Sequence, residues 1–300
     1  MKIGSTCSMF YCYGNDRYKM MKRFGFDGVD YHMEGELHGR TEEAYEQEIL
    51  AEKALMDEAG IVPYQVHGPW RYPPHDETEE LRAERADAMR RSIRCTALIG
   101  CKNWVIHPVM PFGALDEFDK EQFWQINLEF FRALLPTAKE YDVTICFENM
   151  PMSGLSISPP EKTLEFIHMI DDENFKFCLD TGHCSVLGIS PAEAVRMAGD
   201  DLRAIHVHDN DGKSDAHWVL GTGVIDWKDF VAALREINYQ GFFSLECKFV
   251  CRQLKTSFLP NVSNEVRVKT AKMIADEMLM NETMRKNNKQ KAVLSENRYI

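Results

Sequence analysis

The chain has 300 residues, 44% of them hydrophobic, and a formal net charge of −12. That length and apolar content support a large core without disulfides or structural metals, and the acidic balance argues against a broad nucleic-acid-binding face. No apolar run reaches the roughly eighteen residues that a membrane span needs, and "MKIGSTCSMF" carries no signal-peptide apolar region.

In chain order, eight short β-rich runs occupy 2–7, 28–33, 62–68, 103–109, 143–149, 175–183, 202–209 and 242–247. Segments with helical periodicity lie between them. The run 42–60 ends at Gly60, a C-terminal stop. In 189–199, Ser190 is the N-cap, Pro191 opens the first turn and Glu193 completes a capping box. The run 226–241 starts at Asp226 as N-cap, and 263–278 follows the eighth strand. This alternation predicts an α/β fold, a parallel (β/α)8 TIM barrel, as one domain over 1–283 with a polar, basic tail at 284–300. A doubly wound sheet would need a glycine-rich phosphate turn after the first strand, and "STCSMFYCYGND" has none. Of the nine cysteines, most sit singly in apolar runs, as Cys146, Cys178 and Cys247 do. They read as buried thiols of a cytoplasmic protein.

In such a barrel the site lies at the C-terminal ends of the strands. Strands three to eight end in His67, in His107, in Glu148, in Asp180 and then His183, in His206 and His208, and in Glu246. Purely structural placement would scatter these residues over helices and loops. Of the other histidines, His217 follows in the loop after strand seven, and His32, His38, His75 and His168 lie elsewhere. The clustering predicts one bound divalent metal. Residues two apart on a strand face the same way. His206 and His208 are therefore expected to face one side, one ligating and the other either orienting substrate or supporting a metal ligand from behind. Carboxylates with one imidazole suit Mn²⁺, Co²⁺ or Mg²⁺, and more imidazoles tilt the choice to Zn²⁺. Asn210, Asp211 and Gly212 supply the turn after strand seven. Trp70, Trp104, Trp218 and Phe112 are pocket walls or plain packing. Lys248, on the same strand face as Glu246, and Arg71 are candidates for substrate hydroxyls or phosphate.

The stretches "FENM", "CLDTGHC", "IHVHDNDGKSDAHWVLGTGVIDW" and "FSLEC" resemble the xylose-isomerase-like barrel superfamily over residues 1–280. More closely they resemble its sugar-phosphate isomerase/epimerase branch, with ketose 3-epimerases, inosose isomerases and dehydratases, and hydroxypyruvate isomerases. The resemblance implies Glu148, Asp180, His206 and Glu246 as metal ligands, with His208 the alternative to His206, and His183 as a contact to substrate oxygens. The implied chemistry is isomerisation or epimerisation of a ketose or related keto-sugar. Glu148 and Glu246 would move a proton on opposite faces through an enediolate that His183 helps to stabilise. His67, His107, His208, Asp215, His217, Lys248 and Trp70 are the substrate-binding candidates. A dehydratase or lyase acting on a keto-sugar or oxidised glycoside would use the same enolate. The superfamily also holds three-zinc apurinic endonucleases, whose ligand set is similar to His67, His107, Glu148, Asp180, His183, His206, Asp215, His217 and Glu246. The surrounding loops, such as "HPVMPFGALDEFDK", carry few basic residues for tracking phosphates. The expected partner is a small-molecule sugar, with neither nucleic acid nor membrane, and homo-oligomerisation by analogy with this barrel type.

Overall fold

The structure is a computed structural model that describes residues 1–69, 76, 78–109, 120–247 and 264–280. Eight parallel strands run β1 (Lys2–Thr6), β2 (Gly28–His32), β3 (Val62–His67), β4 (Asn103–Ile106), β5 (Thr144–Glu148), β6 (Phe175–Asp180), β7 (Leu202–His206) and β8 (Phe242–Leu245). They form one sheet in the order β7-β6-β5-β4-β3-β2-β1-β8. The circuit closes where Val207 N donates to Ser244 O (2.8 Å) and Glu246 N to Val207 O (3.0 Å). This is the (β/α)8 barrel that the alternation predicts.

The helices are α1 (Arg17–Arg23), α2 (Glu42–Ala59), α3 (Glu79–Leu98), α4 (Lys120–Glu140), α5 (Pro160–Ile170), α6 (Thr181–Val186), α7 (Pro191–Ala198), α8 (Trp227–Glu236) and α9 (Asn264–Leu279). Local chemistry sets their ends. Thr41 Oγ1 accepts from Ala44 N (3.2 Å) to start α2, and Gly60 ends it at φ +67°. Ser190 caps α7 and Asp226 caps α8 through side-chain oxygens that accept first-turn amides. Each such cap contributes about 1 kcal/mol.

Several stretches depart from expectation, and the strands expected over 103–109 and 202–209 already stop at Ile106 and His206. The strand expected over 175–183 stops at Asp180, whose Oδ1 accepts from His183 N (2.7 Å). This carboxylate caps α6, so Thr181–His183 coil as its first turn rather than extend. A run of 3-10 turns, Cys7–Asp16, separates β1 from α1 and has no counterpart in the sequence reading.

The eight described cysteines are free thiols, and all but Cys12 are buried. Among the described residues no helix is long and apolar enough to cross a membrane. The tail at 284–300, Trp70, Arg71, Phe112 and Lys248 lie outside the described residues.

Candidate active site

The site grows out of strand alternation. Val105, Cys146, Cys178 and Ala204 form a small buried cluster separate from the main core. Two residues further along each strand come His107, Glu148, Asp180 and His206. Side chains two apart share a face, so a small apolar layer is followed by an ionisable one. The register of β6 on β7 sets Asp180 beside His206.

One ligand atom from each of Glu148, Asp180, His206 and Glu246 lies within 4.8 Å of the others, and all four residues are buried. His206 Nδ1 donates to Glu148 Oε1 (2.8 Å) and Nε2 to Asp30 Oδ2 (3.0 Å), while Glu246 Oε2 lies 3.4 Å from Nδ1. Burial alone would push His206 toward its neutral form, but Glu148, Glu246 and Asp30 hold its pKa well above the ordinary histidine value. Burial would likewise raise the Glu148 carboxyl, yet His206 and His107 keep it well below the ordinary carboxylate range.

Further imidazoles flank this centre on two sides. His67 Nδ1 donates to Gly68 O (2.9 Å), His183 Nδ1 to Asn149 O (2.7 Å) and His217 Nδ1 to Glu246 O (2.8 Å). A carbonyl only accepts, so each of these Nδ1 atoms carries a proton and each Nε2 is left for another partner. His67 Nε2 meets His107 Nε2 at 3.2 Å, and both lie near Glu148 Oε2, at 3.6 and 3.1 Å. On the other side His183 Nε2 and His217 Nε2 face Asp215 Oδ2 at 3.6 and 3.2 Å. Burial opposes charge on His183, but Asp180, Asp215 and Glu148 raise its pKa to about 10. For Asp215 burial is outweighed by His183 and His217, which hold its carboxyl far below the ordinary range. His107 has no such excess of carboxylates, and burial lowers its pKa.

The donor set fits a divalent cation. Three carboxylates and one imidazole converge within coordination reach, and the carboxylates draw positive charge onto neighbouring rings. Among the described residues Glu148 Oε2, His107 Nδ1 and His208 Nδ1 are buried polar atoms without a hydrogen bond. Such atoms are expensive to bury unless an ion, water or ligand meets them. Oxygen-rich sites with some imidazole suit Mn²⁺, Co²⁺, Mg²⁺ or Zn²⁺. A cavity of about 520 Å³ opens over the centre, with Glu148, Glu246 and His183 on its polar side and Tyr11, Met150 and Met152 among its apolar walls. That volume suits a small-molecule ligand.

His67, His107, Asp215 and His217 also line this cavity. His208 does not. It is fully buried, its Nε2 donates to Asp180 Oδ2 (3.0 Å), and its ring stacks on His217 with centroids 4.0 Å apart. Of the two roles expected for it, its position favours support of a metal ligand over contact with substrate: the ring backs Asp180. Gly182 makes room for it, because a Cβ there would come 1.9 Å from His208 Cε1. Trp104 is not a pocket wall either. It points outward from β4 into the core, where Nε1 donates to Ser92 Oγ (2.8 Å).

Four elements of the site escaped sequence reasoning. Asp209 is fully buried; its Oδ2 accepts from Gly221 N, Gly223 N and Trp227 Nε1, each at 2.9 Å. It pins the loop that carries Asp215 and His217. The paired glycines of "GTG" were the available signal, since a Cβ at Gly223 would meet Asp209 Oδ1 at 2.2 Å. Asn149 Oδ1 accepts from Asp180 N (2.8 Å), tying β5 to β6 beneath His183. Asp30 on β2 contacts His206, and its signal was a lone carboxylate within an apolar strand. Thr6, Cys7, Ser8 and Tyr11 form a wall after β1; nothing in their residue types marks them.

The family model of the xylose isomerase-like TIM barrel matches residues 19–258. An uncharacterized protein of Methanocaldococcus jannaschii is 29% identical over 199 residues, 64% of this chain and 66% of its own length. A D-psicose 3-epimerase of Ruminiclostridium cellulolyticum is 26% identical over 201 residues, 65% of this chain and 66% of that enzyme. The matched part of the chain thus spans 66% of each of these curated relatives. Among solved structures, a D-tagatose 3-epimerase-like protein superposes with a TM-score of 0.74 at 24% identity, covering 93% of this chain and 97% of that one, a likeness of fold. With a family match that spans most of its length, and a closed eight-stranded barrel beneath it, the chain belongs to the xylose isomerase-like TIM barrel family.

Proposed function

We propose that the chain is a divalent-metal-dependent isomerase or epimerase of a ketose or related keto-sugar. The observation that carries this reading is the buried convergence of Glu148, Asp180, His206 and Glu246 under a cavity of sugar size. The similarity to a D-psicose 3-epimerase supports it. A cation held by these four residues would polarise the substrate carbonyl and acidify the adjacent C–H. Glu148 is ionised under the influence of His206 and His107, so it is competent to accept that proton. Glu246 lines the same cavity and returns a proton to the opposite face or the neighbouring carbon. His183, held as a cation by Asp180 and Asp215, donates from Nε2 to the oxygen that gains negative charge. His67, His107, Asp215 and His217 bind substrate hydroxyls around the cavity.

A second reading has one observation in its favour. His67, His107 and Glu148 form one ligand-competent group, and Asp180, His183 and His208 form another, on either side of the central four. That arrangement would suit a multi-metal hydrolase.

Metal content per chain, measured by elemental mass spectrometry on protein purified without chelator, separates the two. About one equivalent, with exchange of substrate hydrogen for deuterium from heavy water, supports the keto-sugar reading. Close to three zincs per chain, without such exchange, overturns it. Exchange followed by loss of water or of a glycosidic group would move the assignment to a lyase built on the same proton abstraction.

A further inference from the structure

We propose that Asp30 is a positioning residue that aims His206 at the cation. This inference rests on the metal-dependent reading above. Asp30 lies on β2, in register with Gln65 of β3, and is 2% exposed. Its Oδ2 accepts from His206 Nε2 (3.0 Å) and from Gln65 Nε2 (2.9 Å). Oδ1 makes no hydrogen bond among the described residues.

A carboxylate only accepts, so it keeps the proton of the His206 ring on Nε2. Nδ1, which donates to Glu148 Oε1 (2.8 Å) and lies 3.4 Å from Glu246 Oε2, is then the nitrogen that would release its proton and turn its lone pair to a cation. A flipped ring would present a nitrogen to neither set of partners in this order, and Asp30 disfavours the flip. Gln65 holds the carboxylate in turn, which makes a relay from β3 through β2 to β7. Packing alone does not account for the residue. A buried carboxylate close to two ionisable glutamates is costly, and an apolar side chain would fill the space at lower cost. A ring that must offer one chosen nitrogen gains from a fixed anionic partner, because that partner sets its tautomer, orientation and basicity.

The test is divalent-cation affinity of the full-length, metal-stripped protein, read with Mn²⁺ and Co²⁺ by competition against a chelating dye. Wild type, Asp30→Asn, Asp30→Ala, His206→Asn and the double variant Asp30→Ala/His206→Asn are compared, each checked for folding by circular dichroism. Asp30→Ala is expected to weaken binding about 10- to 100-fold. Asp30→Asn, whose amide oxygen still accepts from Nε2, loses less. On the His206→Asn background the Asp30→Ala loss disappears, since it acts through the ring. A merely structural Asp30 would give the same loss on both backgrounds, and that result, or wild-type affinity in Asp30→Ala, overturns the inference. If Asp30→Ala does not fold, the isosteric Asp30→Asn carries the comparison. A wild-type protein that binds neither cation removes the proposed function, and the role of Asp30 with it. That pattern is distinct from tight wild-type binding that ignores Asp30.

Discussion

The two ends of the barrel spend their polar residues differently. At the N-terminal end a cavity of about 370 Å³ is lined by Asn103, Asp200, Arg203, Tyr239 and Gln240. Polar groups there pair off locally: Arg203 Nε donates to Asn103 Oδ1 (2.8 Å), Asn103 Nδ2 to Tyr64 O (2.7 Å) and Gln240 Nε2 to Asn238 O (2.7 Å). At the C-terminal end like charges are crowded instead. Glu148, Asp180 and Glu246 share one small volume, and several imidazoles are drawn off their ordinary titration range. A fold gains no stability from packing like charges together. The contrast therefore separates a surface closed for stability from one built to hold a charged ligand, as barrels of this kind divide their ends.

The sharpest way to break this contrast is Glu246→Gln. Steady-state turnover is expected to fall about 10²- to 10⁴-fold, while the melting temperature stays close to wild type. Full activity would refute the two-glutamate mechanism. Next comes Asp209→Ala, which strips the loop bearing Asp215 and His217 of its anchor. A loss of about 3 kcal/mol in denaturant unfolding is expected, from buried charge-assisted hydrogen bonds, together with a raised KM.

A gentler probe is pH. The His183 pKa is raised in the fold from 6.5 to about 10. Its contribution is therefore complete below the unfolded value and is lost as pH rises through the folded one. Metal-stripped wild type should lose thermal stability between about pH 6.5 and 10 more steeply than His183→Gln, which has no such group to deprotonate. Parallel melting curves would show that His183 is not held as a cation. The smallest effect belongs to the other end: Arg203→Ala removes an exposed contact and is expected to cost less than about 0.5 kcal/mol, with unchanged kcat and KM. A clear loss of activity there would dissolve the distinction between the ends.

The sequence by itself determined the barrel and the composition of its active end. Strand–helix alternation, caps such as Ser190 and Asp226, and the two-residue period that carries Cys146 to Glu148 and Cys178 to Asp180 are local signals, and local physics enforces them. Tertiary structure alone decided the rest. Which nitrogen of His183, His217 and His206 faces the centre depends on carbonyls and a carboxylate brought from other strands, those of Asn149, Glu246 and Asp30. His208 shared its strand face with His206 in the sequence pattern, yet the close approach of Gly182 packs its ring against Asp180 instead. Asp209 was no more than the last residue of the β-rich run 202–209 until its partners, 12 to 18 residues further along, folded back onto it. Periodicity reports which face a side chain takes; only the closing of the chain reports what it meets there.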